Sequence, residues 1–355
     1  MELISMATSA HAFDLNSASA ACIAQLAELP ADDLEWETVT AVFTLPAALT
    51  AATESGSVLL ENATECLGDR LGSLEPTLQD KEARQRLVQL PYPALLALLR
   101  SPGTRVAAES TAVAAVALWV AAQEAAGVRV TLEQRQQLAY SIRMVQLPFM
   151  YLGSILPGIQ WLQSVVTPEH IAAITAVKGM PEGTRADILR LNGIKGGADS
   201  EAWPIWLGKA RPFSACKGLS EVCVVVPAAE LNACGSAGQA GVWKSAEPLL
   251  YGGYEFGVCL QLSAGTTFKA YMLLHATGMS QPGLLKPAAA VNAAVSCSGS
   301  RIEVHESKGV WMDAVGFSLF RGHIDVSAGW QPQQLAPFLH DGNLTIRLTV
   351  RGLLP

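Results

Sequence analysis

LVQLPYPALLALLRSPGTRVAAESTAVAAVALWVAAQEAAGVRVTLEQRQQLAYSIRMVQLPFMYL, residues 87–152, is a series of amphipathic helices cut by proline and glycine. Tyr92 to Leu99 carries Leu95, Leu96, Leu98 and Leu99, with Pro93 suited to a first helical turn. Ser101-Pro102-Gly103 ends that helix. From Glu109 to Ala126 nearly every residue favours helix, and Val113, Val116 and Val120 recur at helical spacing on one face. Gly127 suits the left-handed position just past a helix end. Thr131 followed by Gln134 has the form of a capping box, and the helix it opens sets Leu138, Ile142 and Val145 on one side before Pro148. A further short helix is expected from Met150 to Leu156. The stretch holds no nucleophile, acid–base pair or metal-ligand cluster, which directs the reading toward holding other proteins.

Composition narrows the field. Charged residues make up 15% of the 355 positions, below the usual quarter, and half of the residues are hydrophobic, so a large core can form. The formal net charge of −7 and the absence of clustered Lys and Arg argue against a nucleic-acid surface. The longest apolar run, Thr111 to Ala122, is too short to span a bilayer and is flanked by Glu109 and Glu124. The N-terminus lacks the basic region of a signal peptide. Seven scattered cysteines, never spaced C-x-x-C, point to a reducing compartment and hence a cytoplasmic or nuclear protein.

Outward from the central helices, Met1 to Ala12 and Leu15 to Leu29 read as two helices ending at Pro30. Asp32 and Glu35 suggest a capped helix from Asp33 to Leu45, with Trp36, Val39 and Phe43 on one face and Leu34 nearby. Ser55-Gly56-Ser57 reads as a turn before a helix from Val58 to Leu71, and Asp80 to Arg86 as a solvated helix face. Thr167-Pro168-Glu169 opens another helix, and Asn192 to Gly197 is the clearest linker. Beyond it the period changes. Leu344, Ile346, Leu348 and Val350 alternate with polar residues, as in a half-buried strand, and similar strands fit Val222 to Val226, Tyr254 to Leu262, Phe268 to His275, Val291 to Ser296, Arg301 to Glu306 and Val315 to Phe320. Seven or eight such strands imply an antiparallel β-sandwich. The expected class is therefore α+β: a helical bundle followed by a C-terminal sandwich.

The order of the central helices resembles the BACK domain of BTB–BACK proteins. The residues that carry it are Gln89-Leu90-Pro91-Tyr92 with its leucine run, Ala108-Glu109-Ser110, Leu118-Trp119-Val120, and Arg143 through Leu152. An unrelated helical bundle is the plain alternative. Ala12-Phe13-Asp14-Leu15 and Cys22 resemble the last helices of a BTB domain. The β-sheet that should precede them is not in the chain, which suggests a fragment or a protein that has lost that part. The tail Leu339 through Val350, with Gly253 to Phe256 and Arg301 to Glu306, resembles TRAF/MATH-type sandwiches and the C-terminal domain of the plant light-response BTB group. The resemblance divides the chain into BTB tail (1–30), BACK helices (31–166), a helical connector with Gly-rich linker (167–200) and sandwich (201–355).

That resemblance implies a non-enzymatic substrate adaptor of a cullin–RING ubiquitin ligase, with the BACK helices as spacer and the sandwich as substrate receptor. Its partners would be a cullin and a protein substrate, with a homodimer where the BTB part is present, and with neither nucleic acid nor membrane. Leu34, Trp36, Val39 and Phe43 would face the cullin, although packing into the bundle is the competing role for them. Trp203, Trp206, Trp243 and Trp330 would anchor the substrate, aromatic residues being favoured at interfaces, against core packing as the alternative. A stand-alone scaffold or ligand-binding sandwich without a ubiquitin link is the second reading. Enzyme chemistry finds no support. His275, His305, His323 and His340 lack ligand spacing, Gly316 to Phe320 fails the nucleophile-elbow pattern at its last position, and Cys259 and Cys297 read as inert thiols. No catalytic, cofactor or metal residue is assigned.

Overall fold

The structure is a computed structural model that describes residues 1–50, 53–149, 151–191 and 202–214, and beyond these chiefly the backbone of strand segments. The chain divides into two compact units, one of residues 1–146 with 164–214, the other of 147–163 with 215–355.

The first unit is a helical body. Helices α1 (Glu2–Ala12) and α2 (Asn16–Ala27) form an antiparallel pair, with Asp14 in the left-handed region (φ 56°) at the turn between them. They lie beside α3 (Trp36–Val42), α4 (Ala47–Thr50) and the long α5 (Glu54–Leu71). Then come α6 (Leu74–Gln79), α7 (Lys81–Val88), α8 (Tyr92–Arg100), α9 (Glu109–Ala125) and α10 (Leu132–Tyr140). After residue 164 the unit adds α12 (Pro168–Val177), α13 (Glu182–Leu191) and α14 (Ala202–Trp206); the intervening α11 (Gln160–Gln163) belongs to the second unit.

The core is built around α9. Valines at helical spacing suggest one buried face, yet every residue from Glu109 through Ala117 is buried, as are Trp119 and Val120. A helix apolar on all sides belongs in the interior, and the alanines keep this one slim enough for neighbours to close on every side. Trp119 donates from Nε1 to the Leu90 carbonyl at 2.8 Å, and Gln123 donates from Nε2 to the Val88 carbonyl at 3.0 Å. These two bonds satisfy carbonyls left over at the end of α7 and pin the Gln89 to Tyr92 turn against α9. Both local signals of the next turn hold. Gly127 sits at φ 76°, and Thr131 and Gln134 form the reciprocal capping box that opens α10.

Three expected boundaries move, one of them the end of α10, which stops at Tyr140 with a separate 3-10 turn at Met144–Gln146 before Pro148. The helix expected from Asp33 is a 3-10 turn (Ala31–Asp33) followed by α3 from Trp36, with Glu35 at its N-cap and no side-chain cap bond. Ser55-Gly56-Ser57 is no turn but the first turn of α5, because Thr53 accepts from the Gly56 amide and starts the helix there. Gly56 is required for close approach: a Cβ would overlap the Leu49 carbonyl oxygen and stand 2.8 Å from that of Thr50. Gly56→Ala is therefore expected to destabilise by about 1–3 kcal/mol through overpacking, outweighing a helix-propensity gain of about 1 kcal/mol. Urea denaturation of the two proteins measures the sign; a more stable variant overturns the packing argument.

The expected α+β class is corrected. The part of the chain whose packing is described is 70% helical and has no strand or sheet, so that part is a helical body and not an α+β domain with a sandwich. In the second unit, Tyr151–Ile155 is a π-turn within the segment expected as a short helix, followed by a 3-10 turn at Leu156–Gly158. Farther on, backbone segments pair antiparallel: Asn343–Arg351 with Val222–Pro227 and Ala290–Cys297, and Tyr254–Ser263 with Thr267–Ala276. Alternation of side chains marks each strand, but which distant strand pairs with it, and the two inner faces packed about 10 Å apart that a TRAF/MATH-like sandwich requires, no local pattern dictates. No packing of that kind is found among the described residues.

Candidate functional site

Charged groups stand in the apolar core: Glu75, which accepts from the Thr111 hydroxyl at 2.7 Å, and the pair Glu109 and Arg211. Glu109, the first residue of α9, has a side chain that is 1% exposed, and its partner Arg211 is equally buried. The Arg211 Nε–H lies 3.2 and 3.3 Å from the two carboxylate oxygens, its Nη1 donates to the Leu99 carbonyl at 2.6 Å, and its Nη2 donates to the Ser141 carbonyl at 2.8 Å. Glu109 Oε1 also accepts from the Arg143 amide at 2.8 Å. One guanidinium thus joins the last turn of α8, the start of α9 and the end of α10. Lone buried charges are expensive, and this one is matched by a cation whose other donors are satisfied by carbonyls that helix ends leave free. Burial pushes the Glu109 carboxyl up from the ordinary glutamate range, and the Arg211 guanidinium and the Arg143 amide pull it back.

Arg211 belongs to an extended strap, residues 207–214, that crosses the helix ends. Gln146 and Arg143 side chains donate to the Gly208 and Lys209 carbonyls, each at 2.8 Å. The Val106 amide donates to the Pro212 carbonyl at 3.1 Å, and the Ser214 amide to the Val106 carbonyl at 3.0 Å. The Ser73 and Ser214 hydroxyls meet at 2.6 Å. The strap is therefore held along its length by backbone pairing and at its centre by the ion pair. This arrangement locks helices together; both Glu109 oxygens and all three Arg211 guanidinium nitrogens are engaged in it.

Upstream of the strap, α14 brings Trp203 and Trp206 into the core, 4% and 1% exposed. The two rings meet edge to face at 5.4 Å, His170 packs on both, and Tyr140 packs on Trp206 at 5.8 Å. Trp206 Nε1 donates to the Ala139 carbonyl at 2.9 Å. These two tryptophans, read as substrate anchors in a sandwich, lie instead within the helical unit. Trp243 has its backbone in the strand Gly241–Lys244, and its side chain and the whole of Trp330 lie outside the described residues.

The expected cullin face is also mostly interior. Leu34, Val39 and Phe43 are 1%, 0% and 7% exposed. Trp36 is half-buried, with the Arg86 guanidinium 5.9 Å above its ring, a cation–π geometry. Of the histidines considered for metal binding, His275 and His323 lie in strands whose side chains are not described, and His305 and His340 lie outside the described residues. Among the described residues no group of three or more His, Cys, Asp and Glu could hold a metal, and no helix is long and apolar enough to cross a membrane.

His170 gives this region a pH dependence. Its Nδ1 accepts from the Thr167 amide at 3.2 Å, completing a capping box at the start of α12. That bond requires the neutral ring. Burial against the tryptophans lowers its pKa below the ordinary imidazole value, against the opposing charge of Glu169. A lowered folded-state pKa means the contribution is present above about pH 6.5, the unfolded value, and is lost as pH falls through the folded value. Tm is expected to drop between pH 7.5 and 5, and His170→Gln, which keeps a cap acceptor but does not titrate, should flatten that drop. Parallel pH profiles for both proteins would refute the assignment.

Arg211 and Glu109 were not singled out as a pair by sequence reasoning. The available signal was Glu109 itself, an acidic residue at the head of an otherwise apolar helix; its partner stands 102 residues away with no local pattern to mark it. No family model, curated protein or solved structure matches this chain.

Proposed function

We propose that this chain is a non-enzymatic protein-holding adaptor of the BTB–BACK type, acting with a cullin–RING ubiquitin ligase. What supports the reading is that residues from four of the pieces carrying the BACK resemblance, Leu90, Glu109, Trp119 and Arg143, are joined within the helical unit. Trp119 bonds the Gln89 to Tyr92 turn, and Glu109 bonds the Arg143 amide. In such a protein the helices α5 to α10 act as a rigid spacer, and a spacer gains from an all-round buried central helix and a strap that fixes its neighbours.

The test is reciprocal capture from native cells. The chain is expected to bring down a cullin, and the cullin to bring down the chain; failure in both directions overturns the cullin link. The burial of Leu34, Val39 and Phe43 favours a second reading, a scaffold with no ubiquitin link, because it removes three of the four side chains expected to face the cullin. Capture of stable partners in the absence of a cullin distinguishes that reading.

A further inference from the structure

The strap and the ends of α8 and α10 line an open cleft of about 420 Å³. Arg100, Arg143, Lys209 and Arg211 all line it. Of these four cations one, Arg211, is paired with the Glu109 carboxylate, leaving a balance of three positive charges. This concentration stands in a chain of formal net charge −7, so it is local in origin. Crowded like charges repel, and a cleft lined by one sign of charge focuses its field on an ion of the opposite sign.

The hydrogen bonding separates two roles. Arg211 is fully used: Nε by Glu109, Nη1 by Leu99 and Nη2 by Ser141. It supplies a fixed positive background. Arg143 is half-buried, and its guanidinium donates only from Nη1, to the Lys209 carbonyl. A guanidinium has five donors, so most of its fork remains for a ligand. Burial first, and then Arg211, lower its pKa, with Glu109 opposing them. Lys209 is exposed at the rim, and Arg100, also exposed, bonds the neutral Gln137 side chain.

We propose that this cleft binds a diphosphate-type oxyanion, with Arg143 and Lys209 as its direct ligands and Arg211 as the buried charge behind them. A guanidinium fork matches phosphate oxygens in pairs, and three unbalanced positive charges suit a diphosphate better than a carboxylate. The cleft falls in the range of roughly 300–1,000 Å³ common to small-ligand sites, large enough for two linked phosphates. Nothing in this assignment depends on the adaptor reading.

Isothermal titration of the full chain with inorganic pyrophosphate tests it, with sodium chloride at matched ionic strength as the control. Saturable binding is expected for pyrophosphate alone, with Kd weakened about 10-fold or more by the double variant Arg143→Gln/Lys209→Gln, since two charge-assisted contacts are removed. Should that variant fail to fold, Lys209→Glu reverses one exposed charge and should weaken binding by itself. A nucleoside diphosphate in place of pyrophosphate identifies the source: equal affinity assigns the free anion, tighter affinity adds the nucleoside, and both uphold the site. Heat of binding that chloride reproduces, or a Kd unchanged in Lys209→Glu, overturns it.

Discussion

Arg211→Met is expected to destabilise the helical unit by about 3–5 kcal/mol, the cost of leaving a buried charge without its partner. The variant strands the Glu109 carboxylate in the core and leaves the Leu99 and Ser141 carbonyls without the bonds that Arg211 supplies. It also releases the centre of the strap, so the loss should appear in the whole unit rather than as local fraying. Glu109→Gln keeps the shape and strands a cation instead, with a loss in the same range. The double variant Glu109→Met/Arg211→Met separates charge from fold: buried pairs replaced by apolar residues of similar size are often neutral or better. Here recovery should be partial, because the two carbonyls and the Arg143 amide still lose partners. Urea denaturation followed by tryptophan fluorescence measures all three. A single variant within 1 kcal/mol of the parent would show that the pair is solvated and that the strap does not lock the helices.

Trp206→Ala should cost about 3–5 kcal/mol, the range for emptying a large aromatic site. The indole is 1% exposed, packs on His170, Trp203 and Tyr140, and donates to the Ala139 carbonyl at the end of α10. Trp206→Phe keeps a ring in the cluster and loses the N–H, so it should cost about 1–3 kcal/mol, the price of an unsatisfied buried acceptor. The order Ala worse than Phe is itself informative. An interface anchor on a free surface would lose partner binding with little loss of stability, whereas a core residue loses stability first. Denaturation midpoints of the two variants decide between them, and a Trp206→Ala protein as stable as the parent would return this residue to the surface.

Both expectations concern contacts that no short window of the chain displays. Local signals read well. The stop after α8, the capping box at Thr131, the helix start at Thr167 and the left-handed Gly127 appear where their chemistry places them, because each depends on a few neighbouring residues. Gly56 shows the limit of such reading: its sequence looks like a turn, but the residue is there to admit the Leu49 and Thr50 carbonyls of another helix. Trp36, Val39 and Phe43 share a helical face, and that periodicity marks a face without saying whether core or partner covers it; for Val39 and Phe43 the core does.

The helices were thus legible in residue order, since caps, propensities and 3.6-residue periodicity act over less than two turns, while several of their ends moved. The fold class was not: alternation along Leu344 to Val350 marks a strand without naming its distant partners, while the described packing is that of a helical body. Nor was the centre of the structure, where α9 is buried on all sides from Glu109 through Ala117 and Glu109 finds Arg211 at the far end of the unit. Chain order carries the local rules, but which distant segment desolvates a given face, and which cation reaches a buried carboxylate, is settled only when the whole unit minimises exposed apolar area and unpaired charge together.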